Sequence, residues 1–157
     1  MKYVRWSLIA VGVVIVFVVF ARFYTSFMLE RATAKGVYAS PEAGMQALAN
    51  QYYAPDRQVK IVYAGTNSFN GSEPYIWYVI AEVRASAHAD GTPVGADGCE
   101  APGSFFLQTR DGWVHVTEAA MPRFIGYWMN VFGWAGPGNP TASINWTPEQ
   151  EPRFCQE

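Results

Sequence analysis

An uncharged apolar run near the N-terminus constrains this chain more than any other feature. From Trp6 to Ala21 the sequence reads WSLIAVGVVIVFVVFA, without a single charged residue. As a helix this run extends about 24 Å, and apolar character resumes after Arg22 in FYTSFML. Because the long Arg22 side chain can place its guanidinium among lipid headgroups, we expect residues 6–24 to cross a bilayer whose hydrocarbon core is about 30 Å thick.

A cleaved signal peptide is the main alternative to a permanent span. Cleavage requires small residues shortly after the apolar run, and the nearest such pattern, Ala32-Thr33-Ala34, lies well downstream. Basic residues flank both sides of the run, so the positive-inside rule does not by itself settle the orientation. We interpret the run as a signal anchor, because the short basic segment 1–5 resembles the start of an export signal and is expected in the cytoplasm.

The charges are distributed unevenly along the chain. Residues 1–35 carry a net charge of +4, whereas residues 36–157 carry −6. An acidic domain above a basic base suits a position over an anionic membrane, although acidic surfaces also simply keep domains soluble. Nucleic-acid binding is not expected, because it requires a basic face.

The residues after the span number enough for one hydrophobic core without metals or several disulfides. We expect a stalk at 25–39, one domain at 40–133 and a tail at 134–157 that is rich in proline and glycine. The tail is interpreted either as disordered or as strapped across the surface through Trp146 and Phe154.

Two helices are predicted within the domain. Ser40-Pro41-Glu42 has the composition of a helix start, with a capping serine, proline in the first turn and an acid beside it. Residues 45–52 then place an apolar stripe at three- and four-residue spacing, and the helix is expected to stop before Pro55. A second helix is predicted from Pro122 to Gly133, which is typical of a helix C-terminus.

Strands are predicted at 58–64 and 75–87, separated by a polar loop at 65–74 and followed by a turn-rich loop at 88–104. Asp-Gly between two further strand patterns, 105–109 and 113–118, indicates a hairpin. With Asp111 and Gly112 as the two turn residues, Arg110 is expected opposite Trp113, and Gln108 opposite His115.

These elements define an α+β fold. An N-terminal transmembrane helix is followed by a helix packed on an antiparallel sheet of about four strands, then by a C-terminal helix and an irregular tail. The order of elements over residues 40–118 resembles the cystatin-like and NTF2-like group, in which a curved sheet wraps one helix. That resemblance implies a pocket on the concave face, which some members use for catalysis and many for binding, so it does not select a function.

The candidate pocket centres on His115. Its neighbours on the mixed face of the hairpin are predicted to be Gln108 and Trp113, with Tyr78 contributed by the preceding strand. A histidine in a cleft can act as a base near neutral pH, but only Glu118 or Glu82 is available to assist it. The alternative is an ordinary strand histidine that is half buried or solvated.

No cofactor or metal site is predicted. The acids Asp90, Asp97 and Glu100 share a glycine-rich loop, but their spacing does not match a calcium-binding loop. The four residues His88, Cys99, His115 and Cys155 have no spacing typical of structural zinc sites. Cys99 and Cys155 are the only cysteines. A disulfide between them is therefore a candidate outside the cytoplasm, with two free thiols as the alternative.

No sequence pattern for a catalytic site is present. We therefore expect a non-enzymatic role, in which a domain anchored in the cell membrane binds a protein or envelope component outside the cytoplasm. The aromatic residues Trp113, Tyr127, Trp134 and Trp146 are candidates for that contact. The competing hypothesis is a pocket enzyme or small-ligand binder that uses the sheet face around His115.

Overall fold

In the computed structural model, three helices and five strands are described. The described residues are 2–66, 75–95, 97–117, 120–136 and 155, so most of the predicted loop 65–74, Glu118 and the tail residues Trp146 and Phe154 lie outside them. The elements in chain order are α1 (Lys2–Lys35), α2 (Pro41–Tyr52), β1 (Gln58–Thr66), β2 (Ile76–Arg84), β3 (Cys99–Glu100), β4 (Gly103–Thr109), β5 (Gly112–Val116) and α3 (Ala120–Val131). The α+β class is confirmed.

Helix α1 is long and apolar enough to span a membrane. As expected for a helix that extends into a stalk, it continues without a break beyond the predicted span and ends at Lys35. The segment predicted as a stalk packs on the domain, because Thr25 is fully buried and Ala32 nearly so. Ala21, within the predicted span, is fully buried as well. The elements that α1 contacts include β5 and α3.

Helix α2 begins as the sequence predicts. The Ser40 hydroxyl accepts a hydrogen bond from the Ala43 amide at 3.2 Å, and Pro41 occupies the first turn. The stripe residues Met45, Leu48 and Ala49 are buried, which places that side of α2 on the sheet.

The five described strands form one antiparallel sheet in the order β1-β2-β4-β5, with the short β3 also paired to β2. A bulge between Ile61 and Tyr63 shifts the register of β1. The strand predicted at 58–64 therefore does not alternate strictly between the two faces, because the extra residue turns Ala64 rather than Tyr63 toward the side of Val59 and Ile61, which pack under α2.

Helices cover both faces of the sheet. The α2-face core contains Trp77, Val79, Phe106 and Trp113 beneath α2. The α1/α3-face core contains Ile76, Leu107, Val114, Ile125 and Met129, among others. The predicted division of the hairpin faces holds, since Leu107 and Val114 lie on the side opposite to Phe106 and Trp113.

The predicted hairpin register is wrong by two residues. Thr109 pairs with Gly112, Gln108 with Trp113 and Phe106 with His115, so the turn residues are Arg110 and Asp111. The Thr109 hydroxyl stabilises this turn by accepting from the Asp111 amide and donating to the Gly112 carbonyl.

Gly112 is needed in the paired strand rather than in the turn. Its φ is +136°, and a Cβ there would lie 2.8 Å from the Tyr38 carbonyl oxygen. Tyr38 exchanges two backbone hydrogen bonds with Trp113, so the segment between α1 and α2 passes directly over this position. The sequence pattern does not reveal that close approach.

Helix α3 ends as predicted. Gly133 has a φ of +68°, and the Trp134 amide donates to the Met129 carbonyl at 2.7 Å, which satisfies a carbonyl at the helix end. Trp134 and Ala135 then pack against the α1/α3-face core.

The contact of α2 with the sheet yields a stability prediction. A Cβ on Gly44 would lie 2.3 Å from a Phe106 ring carbon, whereas Gly12 in the span has nothing within 4 Å. Alanine improves helix propensity by about 1 kcal/mol, but overpacking costs about 1–3 kcal/mol. We expect Gly44→Ala to lower the thermal midpoint of the full chain in detergent, whereas Gly12→Ala, which gains helix propensity without overpacking, should not lower it. A higher midpoint for Gly44→Ala would contradict this packing.

Candidate functional site

A pocket lies between α2 and the sheet. It is partly open, has a volume of about 280 Å³ and is lined mainly by apolar surface. Helix α2 and its C-terminal cap contribute Met45, Leu48, Ala49, Tyr52 and Tyr53, and the rest of the lining consists of His88, Pro102, Ser104 and His115. This is the α2 face of the sheet, and therefore the face on which His115 was predicted.

His115 is the predicted residue that reaches the pocket. Its neighbours include the Phe106 ring, whose centroid lies 5.6 Å from that of the imidazole. Burial lowers the pKa of His115, and the positive charge of Lys35 lowers it further. The imidazole is therefore neutral near pH 7, with one nitrogen able to donate a hydrogen bond and the other able to accept one.

The other three predicted pocket residues do not line this pocket. Trp113 is buried against Trp77, with ring centroids 5.5 Å apart. Gln108 pairs with Trp113 instead of His115 because of the register difference. Its Oε1 is buried and, within the described residues, has no hydrogen-bond partner.

Tyr78 lies on the opposite face of the sheet, where its ring packs 4.8 Å from that of Phe105. Glu82, which was considered as a partner for His115, is on that face too. Its Oε1 accepts a hydrogen bond from Arg84 Nε at 3.1 Å. The hydrogen bond from Arg84 lowers the pKa of Glu82. Neither residue therefore reaches the pocket, and Glu118 lies outside the described residues.

The sequence did not predict a second polar feature, a cluster in which Glu100 holds Tyr53 and His88, two residues that line the pocket as His115 does. The Tyr53 hydroxyl donates to Glu100 Oε2 at 3.0 Å, and His88 Nε2 lies 3.2 Å from Glu100 Oε1. The Gly95 amide donates to the same Oε1 at 3.2 Å. The Tyr53 and His88 rings are 4.9 Å apart. Glu100 thus orients two side chains that line the pocket without lining it itself.

The electrostatics of this cluster favour an ionised Glu100. Burial tends to raise the pKa of the Glu100 carboxyl, but the hydrogen bonds from Tyr53 and Gly95 and the charge of His88 together lower it. Burial and the Glu100 carboxylate raise the pKa of Tyr53 to about 12. Tyr53 therefore remains a hydrogen-bond donor at any physiological pH.

The chain brings this cluster together through pairings that local patterns do not reveal. Tyr53 and His88 form an isolated antiparallel bridge, and the two-residue strand β3 places Glu100 opposite Val83. The sequence pattern gives Tyr53 no role in a site, and it offers Glu100 only as a loop acid whose spacing does not match a calcium-binding loop. One feature of the sequence could have indicated this cluster. One of the two histidines of the chain, His88, shares a predicted loop with the acid Glu100.

The structure joins Cys99 and Cys155 in a disulfide, with Cα atoms 5.8 Å apart. Because Cys99 directly precedes Glu100, the bond ties the tail to the strand that positions the cluster. The loop acid Asp90 accepts hydrogen bonds from Thr92, which is a local turn. No group of metal-ligating side chains occurs among the described residues.

Comparison with known protein families, characterised proteins and solved structures finds no match for this chain. The cystatin-like or NTF2-like resemblance therefore stays a prediction, and the case for a function depends on the pocket and the helices alone.

The lowered pKa of His115 predicts a pH-dependent stability. In the unfolded chain a histidine titrates near 6.5, and the folded chain resists that protonation. The contribution of neutral His115 is therefore complete above about pH 6.5 and is lost as the pH falls through the lower, folded-state pKa. We expect the thermal midpoint of the wild type to fall more between pH 7.5 and 5.5 than that of His115→Gln. An equal fall in the two proteins would contradict the assignment, since His88 is present in both.

Proposed function

We propose that this protein is a single-pass membrane protein whose extracytoplasmic domain binds a small, mostly apolar molecule in the pocket between α2 and the sheet. The observation that carries the proposal is the pocket, whose mainly apolar lining includes a few polar groups, among them Ser104, His88 and His115. Ligand sites generally combine apolar walls with a few polar groups that fix orientation.

The dimensions of the pocket narrow the class of ligand. A dry cavity of about 150 Å³ holds one benzene molecule, so about 280 Å³ suits a molecule of roughly ten non-hydrogen atoms. Neutral His115 offers a donor and an acceptor, and the Ser104 hydroxyl offers the same. We therefore favour an uncharged ligand with one polar end, such as a small aromatic compound.

The hydrogen bonds of the polar groups that line the pocket favour binding over catalysis. His88 is engaged by Glu100, and within the described part of the chain no hydrogen bond joins Ser104 to either histidine. An activated nucleophile needs a base within hydrogen-bond reach. The pocket thus contains groups that orient a ligand, but no assembled nucleophile–base pair.

The membrane anchor and the extracytoplasmic location belong to the same proposal. Helix α1 supplies an apolar segment of sufficient length, and residues 6–24 are its proposed contact with lipid. A disulfide persists in oxidising compartments, and the Cys99–Cys155 bond lies in the domain, beyond the span. Both features are consistent with a cytoplasmic N-terminus and a domain outside.

A protein or envelope partner is the weaker candidate. Of the four aromatic residues expected to contact such a partner, Trp113 is buried and Trp134 half-buried. Tyr127 is exposed, and Trp146 lies outside the described residues. One exposed aromatic residue does not define a protein-binding surface.

The location is tested by labelling in intact cells that express the full chain. After external reduction, we expect a membrane-impermeant maleimide to label Cys99 and Cys155, and no labelling before reduction. The inside marker is Lys2→Cys in a background with Cys99→Ser and Cys155→Ser, which should react only after lysis. Labelling of the native cysteines only after lysis would contradict an extracytoplasmic domain.

Ligand binding is tested with the full chain in nanodiscs, by NMR of labelled Met45 and Leu48 methyl groups. We expect indole, a neutral aromatic probe, to shift these signals with a Kd of about 0.1–1 mM, as its size allows. Filling the pocket by Ser104→Leu should weaken binding at least about tenfold, or 1.4 kcal/mol.

The matched control is Ser86→Leu, which adds the same volume at an exposed position outside the pocket and should leave the affinity unchanged. Both variants must keep the methyl dispersion of the wild type. Absence of any shift with indole at millimolar concentration would refute the pocket as a binding site.

A further inference from the structure

Helix α3 connects the domain to the apolar part of α1. Its buried side chains Ile125 and Met129 pack into the α1/α3-face core. A second row, Phe124, Trp128 and Phe132, recurs at four-residue spacing beside that side of the helix. The aromatic row does not cover the sheet alone but also reaches α1.

The contacts of this row extend into the proposed span. The Trp128 and Phe17 rings lie 5.8 Å apart, in an edge-to-face arrangement. The ring centroids of Phe124 and Tyr24 lie 5.5 Å apart. The Arg22 guanidinium lies 5.6 Å from the Phe132 ring centroid. Helix α3 is therefore placed at the height of residues 17–24 of α1.

This height corresponds to the surface of a bilayer. If the Arg22 guanidinium lies among the headgroups, Phe17 is five residues deeper along α1, or about 7–8 Å. Interfacial helices bury their apolar side about 5–10 Å into the boundary between headgroups and acyl chains. Trp128, which contacts Phe17, falls within that depth.

One exposed flank of α3 is apolar at the same height. Tyr127 is 57% exposed and Val131 is 54% exposed. At 100° per residue both lie next to the row that contacts α1, whereas Arg123 and Asn130 lie on the far flank and are also exposed. The apolar flank is thus continuous with the lipid-facing surface of α1.

We propose that α3 is an interfacial helix, with Tyr127 and Val131 inserted in the leaflet on the domain's side of the membrane. The occupant of this flank is lipid, because the flank continues the surface of a helix that itself requires lipid. The inference rests on the anchoring part of the proposed function, but not on the pocket.

Site-directed fluorescence in vesicles tests this placement. The full chain is labelled with a polarity-sensitive fluorophore at Val131→Cys; the native cysteines are disulfide-bonded and do not react. The matched controls are Val13→Cys in the span and Asn50→Cys on the exposed side of α2. Nitroxide lipids labelled just below the headgroup quench from the upper part of the leaflet, nitroxides near the acyl-chain end quench from the middle of the bilayer for position 13, and iodide quenches from water.

We expect lipid quenching at position 131 to exceed that at position 50 by at least about twofold, as insertion by several ångströms requires. Iodide quenching should show the reverse order. The same probe at Tyr127→Cys repeats the measurement independently of any local disturbance at position 131.

Three outcomes overturn the inference and differ in what they leave standing. Iodide access at position 131 equal to that at position 50, with lipid quenching intact at position 13, rejects the interfacial helix and retains the anchor. Protection of position 131 from both quenchers assigns the flank to a protein contact instead. Absence of lipid quenching at position 13 removes the anchor itself.

Discussion

The burial of one side of α1 against the sheet is the contact on which the rest of this structure depends. A helix that only crossed a membrane would need no polar or small residues on a domain-facing side, yet Ala21, Thr25 and Ala32 are buried. The same helix contacts β5 and α3. The domain is therefore completed by the C-terminal part of α1, so that removal of residues 22–35 would open the α1/α3-face core.

Covering both faces of the sheet has consequences at its edge. The segment between α1 and α2 must cross from one face to the other, and it does so beside β5, where Tyr38 exchanges backbone hydrogen bonds with Trp113. The edge strand is thereby partly protected from pairing with other chains. Only a residue without a Cβ fits at position 112, because the backbone approaches so closely there.

Local patterns predicted the elements well and the pairings between them less well. The capped start of α2 and the glycine end of α3 followed from short sequence patterns whose physics is local. The hairpin register did not, because Asp-Gly resembles a turn while the reason for Gly112 lies in a segment more than seventy residues earlier. An error of two residues preserved the faces and changed only the partners.

The pocket shows the same division between local and long-range information. His115 was placed on the correct face from strand alternation alone. Tyr53, His88 and Glu100 converge through a two-residue strand and one isolated bridge, which are too short to leave a periodic pattern. Tyr78 was predicted in the pocket, but side chains along β2 alternate between the two faces of the sheet. Its neighbour Trp77 belongs to the α2-face core, and Tyr78 therefore lies on the other face.

The arrangement of helices separates the proposed ligand pocket from the proposed lipid-contacting surface. Helices α1 and α3 occupy one face of the sheet, whereas α2 and the pocket occupy the other. The sheet therefore lies between the pocket and the flank of α3 that is proposed to contact lipid. The end of α1 still acts on the pocket through Lys35, whose charge contributes to keeping His115 neutral. The C-terminal end of the helix that contains the proposed membrane span thus influences the protonation of a residue that lines the pocket.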